Sequence, residues 1–133
     1  MIQNKSPALP EISISAVQGM FLHMLALSAP TKTFVEVGTL GGYSAAWLAC
    51  AFRSGDSGCV HTVERDPSRA AFAQQALAEA GFGTSIRVLN QPALRAIPQL
   101  CHSLPSDGAG LVFLDAQKSE CVARFPRCSF VTL

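Results

Sequence analysis

Charge is scarce in this chain. Only 14 % of its 133 residues are Asp, Glu, Lys or Arg, and the formal net charge is +1. No basic stripe is available to follow a phosphate backbone, so nucleic acid is not an expected partner. Disorder is excluded as a general description, because it needs low hydrophobicity and the hydrophobic share here is 49 %. Long apolar runs are missing too. A membrane span needs roughly 18 consecutive apolar residues. The longest candidate, Met20 to Ala29, contains His23 and Ser28 and stops at Pro30. The opening MIQNKSPALP lacks the apolar stretch of a secretory signal. Five cysteines are present (Cys50, Cys59, Cys101, Cys121, Cys128), but no C-x-x-C pair, and the three histidines have no zinc-type spacing. Free thiols in a reducing cytoplasm are the expectation. No internal repeat or low-complexity tract occurs.

What is there is an alternation. A length of 133 residues fits one domain. Val17, Met20, Phe21, Met24 and Leu25 fall at helical spacing and predict an amphipathic helix whose apolar face packs into the core. Thr33 to Val37 reads as a buried strand, and Ser44 to Phe52 as a helix apolar nearly all round. Cys59 to Val63 is a second strand, ending at Glu64. Asp66-Pro67 supplies a helix cap and a first-turn proline, and Gly81 ends that helix. Ser85 to Leu89, a short helix over Ala93 to Ile97, and a strand over Gly110 to Leu114 complete the series. Strand starts lie about 26 residues apart, one βα unit each. The pattern predicts an α/β fold: a Rossmann-like parallel sheet with helices on both faces. Ligands in such sheets bind at the carboxyl ends of the strands.

Four strand ends therefore carry the chemistry. After the first comes Glu36-Val-Gly-Thr-Leu-Gly-Gly-Tyr-Ser44, where Gly38 and Gly42 permit a sharp turn and close backbone approach. The helix that follows would offer N–H groups to a carboxylate or phosphate. The spacing is not G-x-G-x-x-G, which argues against a dinucleotide. Glu64 ends the second strand, where a carboxylate can accept both hydroxyls of a ribose. Asn90-Gln-Pro-Ala93 follows the third and alone reads as a loop. Asp115-Ala-Gln-Lys118 follows the fourth. Asp115 suits a hard cation such as Mg²⁺, and Lys118 a general base if its pKa is depressed; a solvated Asp–Lys pair fits the same residues.

Taken together, Glu36-Val-Gly-Thr-Leu-Gly-Gly-Tyr-Ser44, Thr62-Val-Glu64 and Leu114-Asp-Ala-Gln-Lys118 resemble the catechol and caffeoyl-CoA type of S-adenosylmethionine-dependent O-methyltransferase. The resemblance runs from near Ile12 to about Phe125 and includes the helix around Val17-Gln-Gly-Met-Phe-Leu22. It implies a class I methyltransferase fold with S-adenosylmethionine as cofactor. It implies that Glu36 and Gly38 shape the loop around the methionine moiety. Gly42, Tyr43 and Ser44 would line that loop, with the Ser44 hydroxyl meeting the carboxylate. Glu64 would hold the ribose, Ala93 would lie against the adenine, and Ile14 would approach the reactive methyl. Asp115 would be a metal ligand as well as lining the cofactor site, with Mg²⁺ the default. Lys118 would take the proton of the acceptor hydroxyl. The implied reaction transfers a methyl group to a hydroxyl of a phenolic or catechol-like small molecule, and homodimers occur in this type.

The chain departs from the family in three places. Gln91 stands where a glycine is common, near the adenine. Gln117 replaces an acidic residue. After Phe125-Pro126 the pattern is lost, and no Asp-Asn pair follows to finish a metal site. Residues 1–133 are thus expected to be a single, C-terminally shortened methyltransferase domain. Cys128 to Leu133 is a candidate fifth strand, since Ala116 to Arg127 gives a crossover of twelve residues, about the minimum for a parallel connection. An open fourth-strand edge would favour association. A cytoplasmic O-methyltransferase is the leading expectation. A non-catalytic cofactor-binding remnant or interaction module is the alternative, and a nicotinamide-dependent half-domain ranks last.

Overall fold

The computed structural model describes residues 13–115 and the backbone of 130–131. Ser15 opens the first helix, α1 (Ala16–Ser28), with a reciprocal cap: Gln18 N donates to Ser15 Oγ, and Ser15 N donates to Gln18 Oε1. Strand β1 (Thr33–Val37) leads to α2 (Tyr43–Ala49), β2 (Cys59–Glu64), α3 (Pro67–Glu79), β3 (Ile86–Asn90), α4 (Ala93–Ser103) and β4 (Leu111–Leu114). A two-residue strand, β5 (Phe130–Val131), closes the order. Asp66 caps α3 by accepting from Arg69 N at 2.9 Å, ahead of Pro67, as expected for an Asp-Pro start.

The strands form one parallel sheet in the order β3-β2-β1-β4-β5. The chain winds outward from β1 to β3 and then returns to the other side of β1 for β4. The topological switch point lies between β1 and β4, so the loop after Val37 and the residue after Leu114 flank the natural crevice. The β4 edge expected to be open is paired at Val112 and Phe113 by Phe130 and Val131. This also places a fifth strand within the Cys128–Leu133 candidate. None of the described helices is long and apolar enough to cross a membrane.

Alternation along β1 divides the core between two faces. Phe34 packs with Leu22, Leu48, Leu77 and Phe113 under α1, α2 and α3. Val35 and Val37 pack with Val63, Ala96, Ile97 and Leu100 under α4. Glu36 points to the first face and is fully buried.

Two elements differ from their sequence reading. The residues of α1 that are buried are Gly19, Leu22 and Ala26, whereas Val17, Met20, Phe21 and Met24 are 79, 57, 47 and 59 % exposed. The cause is close approach. A Cβ at Gly19 would sit 2.2 Å from Trp47 Nε1, so only a glycine lets α1 lie this near α2. Hydrophobic periodicity assigns no weight to a glycine and selects the wrong stripe. The second difference is α4, which continues through Pro98 to Ser103 instead of stopping at Ile97. Ala93, Ala96, Ile97 and Leu100 bury one stripe against the sheet, and that packing outweighs the hydrogen bond Pro98 cannot make.

Candidate functional site at the strand carboxyl ends

The loop between β1 and α2 takes a shape that the sequence permits at few positions. Gly38 has φ 102°, Leu40 φ 50° and Gly42 φ 86°. Gly42 could not be replaced cheaply: besides its positive φ, a Cβ there would lie 2.9 Å from the Leu77 side chain. Backbone bonds hold the bend. Gly38 N and Thr39 N both donate to Val63 O, at 2.9 and 3.3 Å, and Gly42 N donates to Thr39 O at 2.8 Å.

Under this loop lies a buried polar row. Ser44 Oγ donates to Glu36 Oε1, and Thr62 Oγ1 donates to Glu36 Oε2 at 2.6 Å. Thr39 Oγ1 lies 2.6 Å from Thr62 Oγ1. Burial pushes the Glu36 carboxyl up to about 7. The Ser44 and Thr62 hydroxyls pull it down, and the charges of Asp115 and Glu64 add to the rise. The proton of Ser44 is directed to Glu36, so in this arrangement the hydroxyl expected to meet a ligand carboxylate is committed inside the protein.

Glu64 is nearly buried and firmly oriented. Its Oε2 accepts from Leu40 N and its Oε1 from Asp66 N, each at 3.0 Å. Each carboxylate oxygen keeps a second lone pair, so two further donors can be received. Asn90 Nδ2 donates to Glu64 O at 2.9 Å and to Arg65 O at 3.2 Å, fastening the end of β3 to the end of β2. The next residue, Gln91, has a buried Oε1 with no hydrogen-bond partner. Asp115 N donates to Val37 O at 2.9 Å, which continues the β4–β1 ladder into the crevice. The residue is exposed, and the desolvation it does undergo raises its carboxyl above the usual range. Ile14, Gly38, Leu40, Tyr43, Ser44 and Asp115 line a small cleft at the switch point.

The structure thus brings together Glu36, Gly38, Gly42, Tyr43, Ser44, Glu64 and Asp115 at the carboxyl ends of β1, β2 and β4. Of these, Gly38, Tyr43, Ser44 and Asp115 line the cleft itself, while Glu36 and Glu64 bond to its lining at Ser44 and Leu40; Ala93 is buried in the core cluster beneath α4. Lys118 and Gln117 lie outside the described residues. Among the described residues no three His, Cys, Asp or Glu side chains could share a metal ion. Asp115 is a single hard-oxygen donor, which does not by itself make a divalent-cation site. Cys50 and Cys59 are free thiols; Cys121 and Cys128 are outside the described residues.

Sequence reading missed Thr39, Thr62 and Asn90. A signal for Thr62 was present. The 26-residue spacing of the strand starts sets Glu36 opposite Thr62 in the β1–β2 register, so a buried carboxylate and a hydroxyl were due to meet.

Known proteins share this fold. The family model described as O-methyltransferase matches residues 2–130. A catechol O-methyltransferase of Mycobacterium tuberculosis is 42 % identical over 115 residues, covering 86 % of this chain and 50 % of the relative. A catechol O-methyltransferase of Niastella koreensis is 38 % identical over 113 residues, covering 83 % and 48 %. Among solved structures, an O-methyltransferase of tomaymycin synthesis from Streptomyces achromogenes, in complex with S-adenosylmethionine, has a TM-score of 0.71 at 37 % identity, covering 82 % of this chain and 48 % of that one. An O-methyltransferase from Bacillus cereus in complex with S-adenosylhomocysteine has a TM-score of 0.75 at 31 % identity, covering 83 % and 49 %. The chain spans about half the length of the curated relatives it matches. With a parallel Rossmann-like sheet, a glycine loop at its switch point and a family match over nearly its whole length, the chain belongs to the O-methyltransferase family.

Proposed function

We propose that this chain binds S-adenosylmethionine across the carboxyl ends of β1, β2 and β4 and serves methyl transfer to a hydroxyl of a phenolic or catechol-like small molecule. The observation that carries the reading is the bond from Leu40 N to Glu64 Oε2. It joins the glycine loop to the strand-end carboxylate, so a ligand with an amino-acid end and a ribose end meets both in one cleft. The solved relatives that hold S-adenosylmethionine or S-adenosylhomocysteine support it, as do the relatives named catechol O-methyltransferase.

In this reading Glu64 receives the two ribose hydroxyls on its free lone pairs. Glu36, Gly38, Gly42, Tyr43 and Ser44 shape and line the methionine end, Ala93 backs the adenine side, and Ile14 closes on the methyl. When bound, S-adenosylmethionine would supply an electrophilic methyl group to the acceptor oxygen, the electron pair of the broken S–C bond remaining on sulfur. Lys118 takes the hydroxyl proton. Most of the acceleration comes from holding the two reactants in line. Metal assistance enters only as Asp115, one carboxylate that would ligate Mg²⁺; the described residues do not complete that site.

A cytoplasmic location and pairing as a homodimer belong to the same proposal. The free thiols of Cys50 and Cys59 and the exposed apolar row of α1 support them, respectively. Calorimetric titration with S-adenosylmethionine, then a methyl-transfer assay with catechol with and without Mg²⁺, tests the function. Binding with turnover is expected. Binding without turnover would confine the chain to cofactor binding.

A further inference from the structure

We propose that Thr62 is a positioning residue for the cofactor cleft: its buried hydroxyl receives a proton from Thr39, gives its own to Glu36, and so ties the glycine loop to both ends of the cleft. The inference deepens the cofactor reading and rests on it. Its test is chosen to separate the two.

The direction of the row follows from counting protons. A hydroxyl has one proton to give. Thr62 gives its proton to Glu36 Oε2, 2.6 Å away. The 2.6 Å contact between Thr39 and Thr62 must then be made by the Thr39 proton. Ser44 supplies the other Glu36 oxygen. With Glu36 ionised, the row therefore runs Thr39 to Thr62 to Glu36, with Ser44 entering from the opposite side, and every donor converges on one buried carboxylate. Thr62 and Glu36 are fully buried, so water does not readily replace a partner lost between them.

Thr62 is the link that reaches both ends. Toward the methionine end it holds Glu36, and through Glu36 the first turn of α2 at Ser44. Toward the ribose end it holds Thr39, the pivot of the loop. Thr39 O accepts from Gly42 N, and Thr39 N donates to Val63 O. The residue after Thr39 is Leu40, whose left-handed backbone at φ 50° aims its N–H at Glu64 Oε2. Release of Thr39 would free that N–H and, with it, the orientation of Glu64.

A packing role alone does not account for threonine here. A core-facing strand position accepts valine readily, and a buried hydroxyl is unfavourable unless bonded. Both bonds of the Thr62 hydroxyl are made, and both lead to the cleft.

The full chain would be compared with Thr62→Val and Thr62→Ser. Titration with S-adenosylhomocysteine is expected to show about tenfold or weaker binding for Thr62→Val and binding within about threefold of the parent for Thr62→Ser. In the ligand-free proteins, amide hydrogen exchange at Leu40 and Gly42 is expected to quicken at least tenfold in Thr62→Val and to stay unchanged in Thr62→Ser, on the order expected from a lost hydrogen bond. Parental binding by Thr62→Val would overturn the proposal, and so would unchanged exchange at Leu40 and Gly42. Equal losses in the serine and valine variants would overturn it too, because packing and not the hydroxyl would then be responsible. Should Thr62→Val not fold, Thr39→Val, with its change in the loop and not in a strand, is read by the same two measurements. Failure of the parent chain to bind S-adenosylhomocysteine defeats the cofactor reading, while the exchange rates still decide whether Thr62 braces the loop.

Discussion

Leu40 N donates to Glu64 Oε2 at 3.0 Å, so a backbone group of the glycine loop and a side chain at the end of β2 hold each other in place. Leu40 can do this only with a positive φ, which costs a non-glycine residue about 1 kcal/mol or more. The site accepts that local cost in exchange for an oriented carboxylate.

Removal of the carboxylate should be felt in binding. Glu64→Ala is expected to weaken S-adenosylhomocysteine binding by about 10- to 100-fold, the range for losing a hydrogen-bonded charged group. Glu64→Gln should fall near the same value. Its NH₂ would face either Leu40 N–H or Asp66 N–H, two donors that cannot pair. Isothermal titration measures both variants, and near-parental affinity in Glu64→Gln would show that orientation of the carboxylate is not needed.

Glu36 makes stability depend on pH in a defined direction. Its carboxyl sits at about 7 in the folded chain, against an ordinary value of 4.5. Between those limits the folded form holds the proton that the unfolded form has released, so stability falls as pH rises. The contribution is fully present below about pH 4.5 and lost by about pH 7, a span of about 3 kcal/mol. Glu36→Gln does not titrate. The difference in melting temperature, parent minus Glu36→Gln, should therefore decrease from pH 5 to pH 8. A flat difference across that range would contradict the burial assigned to Glu36.

The α1 face offers a contrast between neighbours in sequence. Gly19→Ala would drive a methyl into Trp47 and is expected to destabilise the chain by about 1–3 kcal/mol in urea unfolding. Met20→Ala, one residue on, changes an exposed side chain and should stay within about 0.5 kcal/mol. The reverse order would restore the periodicity reading of the helix.

That contrast shows where the sequence is readable and where it is not. Apolar β-rich runs ending in glycine or a carboxylate marked β1, β2 and β4 within a residue or two, because a buried parallel strand leaves few other compositions open. Glu36, Glu64 and Asp115 stood out as carboxylates at strand ends. Thr39 and Thr62 did not, since threonine in or near a strand is ordinary and its hydroxyl bonds depend on the register between strands. The packing of α1 hung on Gly19 meeting Trp47, a tertiary contact with no local signature. The length of α4 beyond Pro98 likewise came from burial of Leu100, not from propensity.

The proposed function depends above all on whether the loop after β1 and the carboxylate of Glu64 form one cofactor cleft. Calorimetric titration of the intact chain with S-adenosylhomocysteine decides this, beside the same titration of Glu64→Ala at a temperature where both are folded. Saturable binding at one site per chain is expected, with binding about tenfold or more weaker in Glu64→Ala. A folded chain that shows no binding, or a Glu64→Ala chain that binds as tightly as the parent, would refute the shared cleft.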